Sequence, residues 1–177
     1  MRRVLLCALV MSLPAFADSD EVGTLNPEEM TIGRILEKAE NGETDMATCA
    51  SGYFITKSGR HVEARKLFEQ CADDGYTGAM TWMSQLGDNG LGAVEDPESA
   101  SRWDERAAAA GDPVGLFNLG LDMMRGRGRP QDVEGGRRMV DRAAEAGLPI
   151  ARRLQGAGYD LDEVTPDADN WKYVPNS

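Results

Sequence analysis

Histidine is nearly absent from this chain: His61 is the only one among 177 residues. That excludes a His-rich zinc site and leaves a Ser-His-Asp triad one possible base. His61 sits among Arg60, Glu63 and Arg65 at the start of a helical stretch, the setting of a solvated surface residue. Lysine is scarce as well. The residues three before Lys38, Lys57, Lys66 and Lys172 are Ile35, Phe54, Glu63 and Asp169, so no serine stands where an acylating Ser-x-x-Lys motif needs one. Lys57-Ser58-Gly59 imitates one element of such enzymes, but its position reads as a hairpin turn. The acids Asp160, Asp162, Glu163, Asp167 and Asp169 lack the order of a calcium loop and read as a solvated tail. No catalytic constellation, metal site or cofactor motif remains, so the sequence predicts no cofactor and no enzyme. Basic residues are outnumbered, 19 against 30 acids, for a net charge of −11. That balance disfavours nucleic acid and anionic membrane as partners, because phosphate binding needs a basic footprint.

Long apolar runs are missing except at the start. Arg2-Arg3, the run Val4–Leu13, Pro14 and Ala15-Phe16-Ala17 follow the order of a secretory signal peptide cut after Ala17. A run of ten residues is too short to span a bilayer as a helix. The other reading is a buried N-terminal strand or helix. Cys7 lies within the run, not just after it, which argues against a lipid anchor. The expected product is periplasmic or secreted, without a stable membrane anchor. Export leaves Cys49 and Cys71, which form neither a Cys-x-x-Cys motif nor a zinc site. An oxidising compartment favours a structural bridge between them. A redox-sensing pair is the alternative and would be readily reducible.

What the sequence has is a period. Gly75, Gly111 and Gly147 follow one another at 36 residues, each closing a run such as Ala107-Ala-Ala-Ala-Gly111. Leu67, Trp103 and Met139 keep the same step, as do Ala64, Ala100 and Gly136; Gly90 and Gly92 return as Gly126 and Gly128, and Asp96 as Asp132. A fixed period carried by glycines and one large apolar residue per unit marks stacked helix pairs. Residues 18–26 read as a flexible leader. Asn26-Pro27-Glu28-Glu29 reads as a cap, a first-turn Pro and acids at the positive end of a helix dipole, opening an N-terminal capping helix over 27–42. The solenoid occupies 43–156. Its first unit has a shorter turn than the others, at Ser58-Gly59, and the cysteine pair would pin its two helices together. Gly136, in register with Ala64 and Ala100, implies a close helix approach. Ala151–Gly156 reads as one more first helix, and 157–177, with Trp171 and Tyr173, as a tail shielding the open end.

The order Leu119-Gly120-x-x-Met123-x-x-Gly126-x-Gly128, Asp132, Gly136, Met139, Ala143-Ala144-x-x-Gly147 resembles the Sel-like repeat, a relative of the tetratricopeptide repeat. The second unit departs from it, with Met83-Ser84 and Gly87 where the family favours Leu-Gly and an aromatic. The first unit matches only in its second helix. The resemblance covers about 44–156 and implies an all-α solenoid, a right-handed superhelix of antiparallel helix pairs. It further implies a groove lined by first helices that holds a peptide or protein, and a role as adaptor or regulator in the bacterial envelope. Disulfides joining the helices of a repeat occur in some exported relatives, which suits Cys49 and Cys71. Penicillin binding or weak β-lactam hydrolysis, described for some of those, is the alternative function.

Two features are candidate binding sites on an otherwise monomeric chain. Residues 123–153 hold eight arginines against four acids, while the rest of the exported chain is strongly negative. The loop Arg125-Gly-Arg127-Gly-Arg129 could offer guanidinium forks to an acidic partner. Equally, its arginines could pair with acids on neighbouring helices. Trp82 has Asn118 one period on, so it stands outside the repeated core and suits either a binding surface or packing on the next repeat.

Overall fold

In a computed structural model of the chain, residues 31–164 are described. Among them are eight α-helices and no strand: α1 (Ile32–Glu40), α2 (Met46–Lys57), α3 (His61–Asp73), α4 (Thr77–Asp88), α5 (Pro97–Ala109), α6 (Pro113–Arg125), α7 (Val133–Glu145) and α8 (Pro149–Gly156). A 3-10 turn follows at Leu161–Val164. Helices adjacent in sequence pack on one another from α2 to α8, giving three antiparallel pairs, α2–α3, α4–α5 and α6–α7, stacked as an α/α solenoid.

The pairs begin and end as their residues dictate. Asp45, Asp96, Asp112 and Asp132 each accept a backbone N–H from the first turn of the helix that follows, satisfying donors that have no partner inside the helix. Pro97, Pro113 and Pro149 occupy first-turn positions, where a missing N–H costs nothing. Gly75, Gly111 and Gly147 have φ of +92°, +84° and +98°, the left-handed turn that an L side chain resists. The loops inside the later pairs use glycine differently. A Cβ on Gly92 would lie 2.7 Å from the carbonyl oxygen of His61, and one on Gly128 would lie 2.0 Å from that of Pro97. Each loop therefore rests its second glycine on the N-terminus of the preceding unit's second helix. Gly120 and Gly136 meet in the same manner between α6 and α7, where a Cβ on either would come within 2.8 Å of the other's carbonyl oxygen. The close approach expected at Gly136 is thus present.

The apolar interior forms two clusters. One gathers Ile35, Ala39, Leu67, Phe68, Cys71 and Leu86 from α1 to α4; the other gathers Leu116, Phe117, Val140, Ala143 and Leu154 from α6 to α8. A disulfide joins Cys49 to Cys71 and so α2 to α3.

Both ends are covered. At the N-terminal end the expected helix start at 26–30 lies outside the described residues. Within them Thr31 is extended and caps α1 through Arg34 N–H, so the described helix opens at Ile32. Its inner residues Ile35 and Ala39 are buried on the first pair. At the other end α8 forms as a lone first helix, and Tyr159, Leu161 and Val164 pack over it and its neighbours. Tyr159 donates a 2.5 Å hydrogen bond to Asp141, and the Arg137 guanidinium lies 5.1 Å from its ring. Trp171 and Tyr173, expected in this cap, lie outside the described residues, as does the signal-like segment. Among the described residues no helix is long and apolar enough to cross a membrane.

Candidate functional site

The first helices of successive pairs leave a groove between α4 and α6, floored by α5. Its volume is about 830 Å³, and Thr81, Trp82, Gln85, Asn118, Leu121 and Arg125 line it along with several acids. A smaller apolar cavity of about 330 Å³ lies between α2 and α4, lined by Met46, Cys49, Tyr53, Phe68, Tyr76 and Trp82. Trp82 borders both. Its ring stacks on Phe68 with centroids 5.7 Å apart and meets Tyr53 edge-on at 5.8 Å. Packing and presentation are therefore combined in one side chain: one face of the indole is covered by the first pair, while the residue remains half-buried. Beside it α2 exposes Met46 and Phe54, at 76% and 72% of their surface.

Carboxylates form the floor of the larger groove. Asp104, 2% exposed, accepts hydrogen bonds from Ser84 Oγ at 2.5 Å and from Asn118 Nδ2 at 3.1 Å. Burial pushes its pKa up to about 7, against the pull of those two donors and with help from the charges of Asp122 and Asp88. Asp122, 7% exposed, is pushed up to about 6, again mainly by burial. Ser101 beside it lowers that value somewhat, although its buried hydroxyl makes no hydrogen bond of ordinary geometry.

The arginine loop is largely committed within the chain. Arg127 donates to Asp88 Oδ1 and to the Asp88 carbonyl, both at 3.0 Å, and to Glu95 at 3.1 Å. Arg129 donates to Glu105 at 3.0 Å. Of the two readings of this loop, pairing with acids of the neighbouring unit describes Arg127 and Arg129. Arg125 alone is exposed at the groove rim with no ion pair. The structure brings Trp82, Arg125 and Arg127 to one groove and leaves Arg129 outside its lining. His61 differs from its expected solvated state. It is half-buried with Nδ1 shielded and unpartnered, because the Gly92 loop sits on its backbone.

Solved structures share this architecture. A protective antigen of uropathogenic Escherichia coli, c5321, described as displaying an SLR fold, superposes with a TM-score of 0.62 at 25% identity over 75% of this chain. The Sel1 repeat protein of Oxalobacter formigenes gives 0.58 at 25% identity over 71% of this chain. The chain has the fold of Sel-like repeat proteins. The cysteine rich protein B of Helicobacter pylori shares the fold, with a TM-score of 0.55 at 16% identity over 71% of the chain. The Sel-like chain spans 28% of the c5321 structure, but 97% and 98% of the other two. No family model and no curated protein matches it.

Within the Sel-like register the missed residues become conspicuous. Asp104 stands one period from Phe68 and from Val140, and Asp122 one period from Leu86, all apolar and buried. An acid at a position its neighbouring units fill with buried apolar side chains was the available signal. It could be read only once the period was extended to positions that do not repeat.

Proposed function

We propose that this Sel-like repeat chain is an exported scaffold of the bacterial envelope that holds a segment of another protein on its first-helix face. The observation that carries this reading is the shared wall at Trp82, which sets the polar groove and the apolar cavity side by side across three first helices. An aromatic side chain with one covered and one accessible face suits a binding surface, because it offers large contact area with few torsions to freeze. The signal-like start and the Cys49–Cys71 bridge support an oxidising location. The β-lactam alternative has less in its favour, since neither cavity is lined by a lysine or a histidine that could activate a serine.

Site-specific photo-crosslinking in cells tests the reading. A crosslinker at exposed Gln85, in the groove, should give an adduct with a discrete protein, and one at exposed Arg102, on a second helix, should not. Adducts from Arg102 alone would move the site to the other face. A penicillin probe that labels the chain would instead favour the enzymatic alternative.

A further inference from the structure

Two buried carboxylates of the groove take part in no ion pair among the described residues. Asp88 and Glu95 share Arg127, and Glu105 holds Arg129. Asp104 is met only by the neutral donors Ser84 and Asn118. Asp122 faces the groove and is 7% exposed; Ser101 and the more distant charges of Arg129 and Arg127 favour its ionised form, but among the described residues no cation forms an ion pair with it. Beside it stands Ser101 Oγ, 1% exposed, which favours the ionised carboxylate but makes no hydrogen bond of ordinary geometry. Charges removed from water are as a rule paired, so two buried carboxylates met at close range only by neutral side chains, with a hydroxyl poorly bonded beside them, mark a place for a cation.

The surrounding charge indicates what would fill it. Residues 78–122 carry eight acids against Arg102 and Arg106; of the two further arginines that line the groove, Arg127 holds Asp88 and Glu95, and Arg125 stands exposed at the rim. Arg102 and Arg106 are directed elsewhere, Arg102 to Glu98 and Arg106 to Asp73. One period either side of Ser101 stand Arg65 and Arg137, so the middle unit alone lacks a basic side chain at this register. A bare metal ion is not the natural occupant, because among the described residues no three His, Cys, Asp or Glu are grouped to hold one. Immediately across Trp82 lies the apolar cavity with Tyr53 and Phe68.

We propose that the recess takes a peptide segment of a partner protein in which a lysine or arginine neighbours an apolar or aromatic residue. The cation lies between Asp104 and Asp122, and the apolar side chain rests on Tyr53 and Trp82. This rests on the first-helix-face reading above and gives that partner its chemistry. It reverses the expectation of an acidic partner at the arginine loop, whose Arg127 and Arg129 already hold acids of this chain.

The test uses the full chain and four labelled heptapeptide pools, degenerate except for a central Arg-Phe, Glu-Phe, Ala-Phe or Arg-Gly pair, read by fluorescence anisotropy. The Arg-Phe pool should bind about tenfold or more tighter than the Glu-Phe and Ala-Phe pools, in line with the loss expected when one partner of a buried ion pair is removed. Asp122→Asn keeps the shape and removes a desolvated charge, so it folds, as circular dichroism will confirm. It should erase the Arg-Phe advantage while leaving Ala-Phe binding unchanged. Trp82→Ala should weaken every Phe-containing pool. A preference for Glu-Phe, equal binding of Arg-Phe and Ala-Phe, or an advantage that survives Asp122→Asn would overturn the cation site while leaving the groove as a peptide site. Binding of no pool would overturn both.

Discussion

In the α2–α3 pair the chain turns over residues 58–60, and the bridge Cys49–Cys71 ties the helices. In the α6–α7 pair it turns over 126–132 without a covalent link, and the helices close through Gly120 and Gly136. The first pair has Gly52 facing Phe68, where a Cβ would lie 2.3 Å from the ring, so it meets its partner helix through a bulky side chain. The third has no side chain at its closest point, and backbone meets backbone. Helix spacing in a solenoid is thus reached by two routes, a covalent tie around a large residue or the removal of side chains altogether. The long loop that accompanies the second route carries Gly128 onto the preceding unit, a tie between units that the first pair's short turn does not make. The first pair is covered on its outer side by the single helix α1, and it is the pair that carries the disulfide.

Changes at these ties should break the comparison with effects that fall in a clear order. Gly128→Ala adds a Cβ against the Pro97 carbonyl at a φ of +66°, combining backbone strain with overlap. A loss of about 3–5 kcal/mol in urea unfolding is expected from the two together. Gly111 has a φ of +84° but open space around it, so Gly111→Ala should cost only about 1 kcal/mol. Equal losses at the two glycines would mean that the loop does not bear on the preceding helix. Replacing both Cys49 and Cys71 with Ala should cost about 3 kcal/mol by freeing the unfolded chain. Amide exchange should rise in α2 and leave α6 unchanged.

Next in size comes the buried acid between these two pairs. The folded pKa of Asp104, raised from 3.8 to about 7, means that the folded state binds its proton more tightly than the unfolded chain does. Its contribution to stability is fully present below the unfolded value and is lost as pH rises through about 7. Asp122, raised to about 6, acts in the same direction. Asp45, Glu63 and Asp141 are held below their ordinary values by hydrogen bonds and work oppositely, but only in stronger acid. Between pH 5 and 8, Asp104→Asn should therefore gain on the native chain by roughly 2 kcal/mol. Melting curves across that window check this, and parallel slopes for the two proteins would show that Asp104 does not titrate there. The smallest effect belongs to the arginine loop. Arg127→Ala removes ion pairs from a side chain 40% exposed, and a change within about 1 kcal/mol, diminished by salt, is expected.

The fold was legible because each unit restates the same local rules. Asp96 and Asp132 cap, Pro97 starts a helix, and Gly111 and Gly147 stop one, and each of these acts within a few residues of itself. A rule repeated at one period needs no knowledge of distant contacts. The candidate site was less legible. Trp82 stands out in the sequence because it breaks the period, and Arg127 because it belongs to a charged loop, yet that loop's partners Asp88 and Glu95 lie in the preceding unit. Asp104 and Asp122 carry little signal in the sequence, where they are two acids in an acidic chain.

The sequence by itself determined the all-α class, the number of helix pairs, their caps and stops, and the cysteines available to join the first pair. Those are decided by backbone conformation and hydrogen bonding over a few residues. Only the tertiary structure decided which glycines bear backbone against backbone, which arginines are already occupied, and which acids lie under a groove without an ion pair. These depend on distances between residues that the chain places roughly one period apart, and on how much water each charge retains once the units are stacked.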